Sequence, residues 1–261
     1  MNRWPKPLSD LDHGGSQKYH CEWQPLVATA RAMLQKDKTM KILLSFATIL
    51  LLVGCAPAPS IQQGPDAETT FDGLVRIDHS RFANAWIDPD VDLSQYDKIM
   101  VGDAVFEFRA VKKSTSQTMV RRANESEFWM SDKNKESLIE IVSEAFRNEL
   151  QKSEHFTAVD APGPDVLILV GGLHDIVSRV PPDMVGRGDI YLSSVGEATL
   201  VLELKDSLSG ETIYRAIDRR SAERAGGQMV MANTVTTKSE VRRLAQRWAV
   251  RLREGLDSVH D

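Results

Sequence analysis

The sequence predicts an α+β fold in which a small mixed β-sheet is covered by two helices. Several segments of strand length are apolar at every second position or throughout, which is typical of half-buried and fully buried strands. Two longer segments, 132–152 and 238–256, carry apolar residues every three or four positions, the spacing of an amphipathic helix. The elements follow the order β-α-β-β-β-α, and we expect them to form a single domain over residues 71–261.

The first strand is expected at 97–109, where Phe106 and Phe108 lie on one face. The helix at 132–152 comes next, and Ser131 is the type of residue that caps a helix N-terminus. These two elements form the first strand–helix unit of the domain.

The middle of the domain is predicted to be all strand. A short strand is expected at 156–159, and an apolar run at 165–170, bounded by a proline and a glycine, predicts a fully buried one. Alternating residues at 198–205 and 211–219 flank a loop that ends in glycine, which predicts a hairpin. The sheet therefore gains most of its strands here.

The last element is a helix at 238–256, and the pair Thr237 and Glu240 predicts a capping box at its start. Two long stretches, 110–131 and 178–195, have no predicted element. Loops of that length are functional or mobile.

An apolar segment near the N-terminus has the features of a secretory signal peptide. Lys41 is followed by twelve uncharged residues that end at Val53. As a helix they would span roughly 18 Å, which is short of the ~30 Å hydrocarbon core of a bilayer. A signal peptide at 40–54 is therefore favoured over a transmembrane anchor. A buried core helix fits poorly, because the segment has no polar face.

Leu52, Val53 and Gly54, followed by Cys55, resemble a bacterial lipobox. The resemblance implies that signal peptidase recognises the first three residues and cuts before Cys55, whose acylated thiol then binds the lipid bilayer. The alternative is an unmodified buried cysteine. Residue 56 is alanine, not the aspartate that resembles an inner-membrane retention signal, so in a Gram-negative source we expect the periplasmic leaflet of the outer membrane.

The segments on either side of the signal peptide have separate interpretations. Residues 1–39 show no sustained period and are interpreted as an over-called upstream extension, with Met40 as the initiator; an unusually long n-region is the alternative. Residues 55–70 are rich in proline, which predicts an extended, acylated tether.

A wider resemblance covers nearly the whole chain after the tether. The segments that carry it are 71–75, 80–82, 88–96, 162–165, 204–212 and 217–220, followed by a final helix with arginines and a tryptophan. In order and spacing they are similar to the family of predicted bacterial lipoproteins catalogued as domain of unknown function 3313. The resemblance implies a lipoprotein with one domain. It brings no catalytic residue, because none is assigned in that family.

The sequence contains no established catalytic signature. Walker-type, Gly-x-Ser-x-Gly, His-Glu-x-x-His and Gly-x-Gly-x-x-Gly patterns are all missing from it. His174 and Asp175 are the nearest to a catalytic pair, but adjacent strand residues point to opposite faces. We expect no enzymatic activity, no catalytic residue and no cofactor.

The charges of the sequence do not favour a metal ion or nucleic acid as a ligand. Aspartates at 88, 90 and 92 lack the glycine and distal glutamate of an EF-hand, so we expect a solvated turn and no metal site. The net charge of −5 at pH 7 gives no basic surplus that would favour nucleic acid.

One loop has the composition of a partner-binding surface, because four cations precede two aromatic residues. These residues are Lys112, Lys113, Arg121, Arg122, Phe128 and Trp129. They suit contact with an envelope protein or with peptidoglycan. The alternative is that Trp129 covers the core.

We expect a non-enzymatic binding or scaffold lipoprotein of the periplasm. The alternative is a carrier of a small amphiphilic ligand held between the sheet and its helices, and an enzyme with an unfamiliar site is the third possibility. A deep apolar cavity would favour the carrier, whereas clustered polar groups with shifted pKa values would favour the enzyme.

Overall fold

The structure is a computed structural model, and it describes residues 57–113, 125–182 and 189–260. In these residues it contains ten strands and two α-helices. The strands are β1 (Ser60–Ile61), β2 (Val75–Asp78), β3 (Asn84–Ile87), β4 (Lys98–Phe108), β5 (Thr157–Ala158), β6 (Val166–Ser178), β7 (Tyr191–Leu192), β8 (Gly196–Asp206), β9 (Thr212–Ser221) and β10 (Val230–Met231). The helices are α1 (Asp132–Leu150) and α2 (Thr234–Asp257), and two 3-10 turns occupy Leu93–Gln95 and Ala225–Gly227.

Eight of the strands form one mixed sheet in the order β1-β2-β3-β9-β8-β6-β4-β5. β4 runs parallel to β5 and β6, while the other neighbouring strands are antiparallel. β7 and β10 form a separate two-stranded ribbon. The prediction of a small sheet is therefore wrong. The fold is α+β, but its sheet is large, and β6 alone has 13 residues.

The extra size of the sheet comes from strands that the sequence pattern does not indicate. β1, β2 and β3 contain two to four residues each, too few to show alternation. β1 also lies in the segment expected as a tether, and it pairs with β2. β6 continues through Gly171 and Gly172, whereas we expected the strand to end at this pair.

The helices pack against each other and against the sheet, with one core between them. Ile141 and Val142 of α1 and Leu244 and Trp248 of α2 join this core. As predicted, Ser131 caps α1, and its hydroxyl accepts a hydrogen bond from a backbone N–H of the first turn. Among the described residues, no helix has both the length and the apolar character needed to cross a bilayer.

The start of α2 differs from the prediction. Asn233 is the N-cap, and its side-chain oxygen accepts a 2.8 Å hydrogen bond from the backbone N–H of Thr236. The capping box proposed for Thr237 and Glu240 is therefore wrong. Thr237 lies inside the helix, and the Glu240 carboxylate is fully buried, where it accepts a 2.7 Å hydrogen bond from Arg243.

Candidate functional site

A cavity of about 480 Å³ lies between the two helices and one end of the sheet. This volume is within the range of small-molecule sites, about 300–1,000 Å³. Its walls are mainly apolar and come from four elements and from the loops beside them. They include Leu138, Ile141 and Val142 of α1, Leu173, Ile176 and Val177 of β6, Ala198 of β8, and Val241, Leu244, Ala245 and Trp248 of α2.

Small side chains explain why the space is not filled. Ala198 and Ala245 are both buried and face the cavity from the sheet and from α2. Gly196 and Ala222 line the same end of the sheet. The cavity opens to solvent, so these small side chains leave a concave apolar surface that a ligand can cover.

Two of the residues that line the cavity, Trp129 and Thr237, each carry a buried polar atom that has no hydrogen-bond partner among the described residues. These atoms are the indole nitrogen Nε1 of Trp129 and the hydroxyl Oγ1 of Thr237. Among the described residues, only one other buried side-chain atom, Nε of Arg247, shares this state. An unsatisfied buried donor costs about 1–3 kcal/mol. Both atoms therefore leave a hydrogen-bonding capacity unmet beside the cavity.

The cavity has little acid–base chemistry. Of the described lining residues, Glu197 and Lys238 are the ionisable ones. The Glu197 carboxylate is 3.2 Å from a guanidinium nitrogen of Arg179 and 3.2 Å from one of Arg219, so its charge is balanced. Several hydroxyls line the walls, but no histidine, cysteine or aspartate is among the described lining residues to activate them. The arrangement can bind a molecule, and it offers no nucleophile–base pair.

The sequence from residue 69 to residue 252 matches a family described as a protein of unknown function, DUF3313. The chain belongs to the DUF3313 family. This confirms the resemblance noted in the sequence. None of the curated proteins matches the chain.

Solved structures of low similarity also match this DUF3313 protein. A PelC dodecamer from Paraburkholderia phytofirmans is 12% identical, with a TM-score of 0.28, over 59% of this chain and 89% of that chain. A Xanthomonas campestris protein of the family DUF330 is 8% identical, with a TM-score of 0.36, over 69% of this chain and 93% of that chain. Likenesses of this degree say nothing about function, which has to come from the residues of this chain.

The structure brings part of the predicted partner-binding loop to the cavity. Trp129 is half-buried and lines it, and the Lys113 ammonium lies 5.0 Å from the centroid of the Trp129 ring. Phe128 is only 3% exposed and belongs to the core, while Lys112 is exposed and does not line the cavity. The remaining two residues, Arg121 and Arg122, lie outside the described residues, as do Leu52, Val53, Gly54 and Cys55.

His174 and Asp175 of this DUF3313 protein lie at an irregularity in β6, and each has its own partner. His174 Nδ1 is 3.0 Å from a carboxylate oxygen of Glu107. Asp175 has a φ of 51° and accepts hydrogen bonds from Arg109 at 2.6 Å and Arg219 at 2.8 Å. These arginine hydrogen bonds lower the pKa of Asp175 to about 2. The pair does not form a catalytic dyad in this geometry.

The aspartates before β4 organise turns. The Asp88 carboxylate accepts a 3.0 Å hydrogen bond from the backbone N–H of Asp90. Asp92 accepts one of 3.0 Å from the backbone N–H of Ser94 and caps the first 3-10 turn. This agrees with the expected turn.

Sequence reasoning missed most of the residues around the cavity. Thr237 was interpreted as part of a cap, and the small residues Ala198 and Ala245 carry no recognisable signal of their own. The usable signal was Trp129, an aromatic residue in a long loop beside cations.

Proposed function

We propose that this DUF3313 protein is a non-enzymatic binding protein of the bacterial envelope that holds a small amphiphilic molecule in the cavity between α1, α2 and the sheet. The observation that carries the proposal is an apolar space of about 480 Å³ whose lining residues Trp129 and Thr237 each have a buried polar atom without a partner in residues 57–113, 125–182 and 189–260. An apolar ligand body would fill the space, and a polar group on it would satisfy those atoms.

The chemistry of the walls favours binding over catalysis. Catalysis by acid–base or nucleophilic groups needs such groups within reach of the bound molecule. The described walls supply apolar side chains, hydroxyls, the amide of Asn134, one balanced carboxylate and one exposed lysine, Lys238. We therefore favour the carrier, which the sequence analysis gave as the alternative, over the scaffold.

Envelope localisation rests on the lipobox resemblance. Leu52, Val53 and Gly54 precede Cys55, and acyl chains on that cysteine would hold the protein at the bilayer, with the outer membrane as the proposed location in a Gram-negative source. An anchored protein with an apolar cavity would receive its ligand beside the membrane, where amphiphiles are concentrated.

The test is a fluorescence titration with N-phenyl-1-naphthylamine, an uncharged apolar probe. The chain used starts at Pro57, after the apolar segment and Cys55, so that it can be handled without detergent. We expect saturable binding that Ala245→Leu weakens by about tenfold or more, a loss of about 1.4 kcal/mol, because the added carbons occupy the cavity.

Ala104→Leu is the matched control, since Ala104 is exposed on β4 and does not line the cavity. It should bind the probe like the parent chain. Ala198→Leu adds the same carbons from the sheet side of the cavity and should weaken probe binding in the same way, in case Ala245→Leu disturbs the fold. Equal affinity in Ala245→Leu and Ala104→Leu, with both folded, would contradict the proposed site.

A further inference from the structure

A second pocket, of about 410 Å³, adjoins the apolar cavity. The two spaces share five lining residues, which are Trp129, Met130, Ser131, Ile176 and Ser178. The second pocket differs in character, because three cations line it: Arg109, Lys113 and Lys135. An apolar space and a cationic space therefore meet across Trp129.

The positive charge of the second pocket is only partly balanced. Asp132 is the one carboxylate among its described lining residues, and its side chain is 92% exposed while it pairs with Lys135 at 3.3 Å. Arg109 is engaged by the carboxylates of Glu127 and Asp175. Lys113 has no carboxylate partner among the described residues, and its ammonium lies over the Trp129 ring. Lys113 is therefore the cation of this pocket that is available to pair with a bound anion.

Trp129 connects the two environments. Trp129 lines both spaces, and its buried Nε1 has no hydrogen-bond partner in the part of the chain that the structure describes. An indole N–H can only donate a hydrogen bond, so it calls for an acceptor. Hydrogen bonds to an ionised acceptor are roughly twice as strong as neutral ones. A carboxylate or phosphate oxygen beside Trp129 would satisfy this atom and would face the lysines.

We propose that the ligand is an anionic amphiphile with one acyl chain, whose chain fills the apolar cavity and whose carboxylate or phosphate head lies in the cationic pocket against Lys113 and Lys135. This inference rests on the proposed function, since it specifies the ligand of the same cavity. Both lysines are accessible to solvent, so salt should weaken the preference for an anionic head.

The experiment measures displacement of N-phenyl-1-naphthylamine by dodecanoate, dodecyl phosphate and dodecanol, each below its micellar concentration. The three probes share one chain length, and only the alcohol lacks charge. The parent chain should bind both anions about tenfold more tightly than the alcohol. Inorganic phosphate, which has the head and no chain, should compete poorly.

The variant Lys113→Gln/Lys135→Gln removes both ammonium groups. It should bind dodecanol like the parent chain and lose most of the preference for the anions. Lys112→Gln/Lys133→Gln makes the same change in net charge at two exposed neighbours that do not line either pocket, and it should keep the preference. Trp129→Phe should weaken binding of the anions severalfold by removing the N–H.

Failure of this inference and failure of the proposed function give different results. Equal affinity for the acid and the alcohol, or a preference that survives in the Lys113→Gln/Lys135→Gln variant, would overturn the anionic head group and leave apolar binding intact. Inorganic phosphate competing as well as dodecyl phosphate would overturn the role of the chain. If none of the three amphiphiles displaces the probe, the proposed function itself is contradicted.

Discussion

The buried carboxylate of Asp218 should be one of the strongest single contributors to the stability of this protein. Asp218 is 1% exposed and accepts hydrogen bonds from Trp248 Nε1 at 2.8 Å, Arg220 Nε at 2.6 Å and Arg251 Nη1 at 3.3 Å. It also accepts one of 3.3 Å from the backbone N–H of Ala83. The carboxylate therefore links β9 to α2 and to the segment before β3.

Asp218→Asn keeps the size of the side chain and removes its charge. Breaking a buried pair by removing one partner typically costs about 3–5 kcal/mol. Arg220 and Arg251 are 38% and 29% exposed, so water can solvate part of the charge left behind. We therefore expect a loss of about 2–4 kcal/mol in the free energy of unfolding. For a domain of this size, that lowers Tm by roughly 4–16 °C.

Thermal and urea unfolding followed by circular dichroism measure this loss. Asp103→Asn is the matched control, because Asp103 is exposed on β4 and the same change there should stay within about 0.5 kcal/mol. A loss below about 1 kcal/mol for Asp218→Asn would contradict a large contribution of its buried charge. It would mean that the cluster of donors around Asp218 tolerates a neutral acceptor.

Three further predictions concern the sheet, alkaline pH and the anchor. A Cβ at Gly172 would lie 1.9 Å from a backbone carbonyl oxygen of β4, so Gly172→Ala should lower the free energy of unfolding in urea by about 1–3 kcal/mol or more. Gly255→Ala in α2, where a Cβ has nothing within 4 Å, should raise that free energy by roughly 0.5–1 kcal/mol. Burial, followed by a hydrogen bond to a carboxylate, raises the pKa of Tyr96 from 10.0 to about 12. The neutral phenol is thus favoured in the folded state, so the contribution of Tyr96 to the free energy of unfolding should be fully present below pH 10.0 and should be lost as the pH rises towards 12. Tyr96→Phe should make this loss smaller in thermal melts run across that pH range. Cys55→Ser should abolish acylation without loss of fold, which mass spectrometry and circular dichroism check together; a free, unacylated Cys55 in the parent chain would contradict the lipobox interpretation.

The sequence predicts the long elements of this fold well because their patterns are local. The strand at 97–109, the hairpin from 198 to 219 and the helix that Ser131 caps are all confirmed. Their apolar spacing depends only on neighbours along the chain.

The full width of the sheet is not local information. β1 to β3 are held by pairing with one another and with β9, and each is too short to display a period. Gly171 and Gly172 resemble the end of a strand in sequence. In the fold, they are the point at which neighbouring backbones approach β6 so closely that a Cβ would collide with them.

The sequence alone does not predict the cavity or its walls. Its walls combine residues more than 100 positions apart, such as Leu138 and Trp248, and its size depends on which alanines face each other. Trp129 was recognisable as an aromatic residue in a long loop. The orphaned state of its indole nitrogen depends on what the fold places around it.

A crystal structure of the protein with ω-bromododecanoate, measured at the bromine absorption edge, would show whether an acyl chain occupies the space between α1, α2 and the sheet. We expect one anomalous peak inside the cavity, near Leu173 and Trp248, with the carboxylate on the side of Lys113 and Trp129. A bromine peak on any other surface, with this cavity empty of the chain, would contradict it.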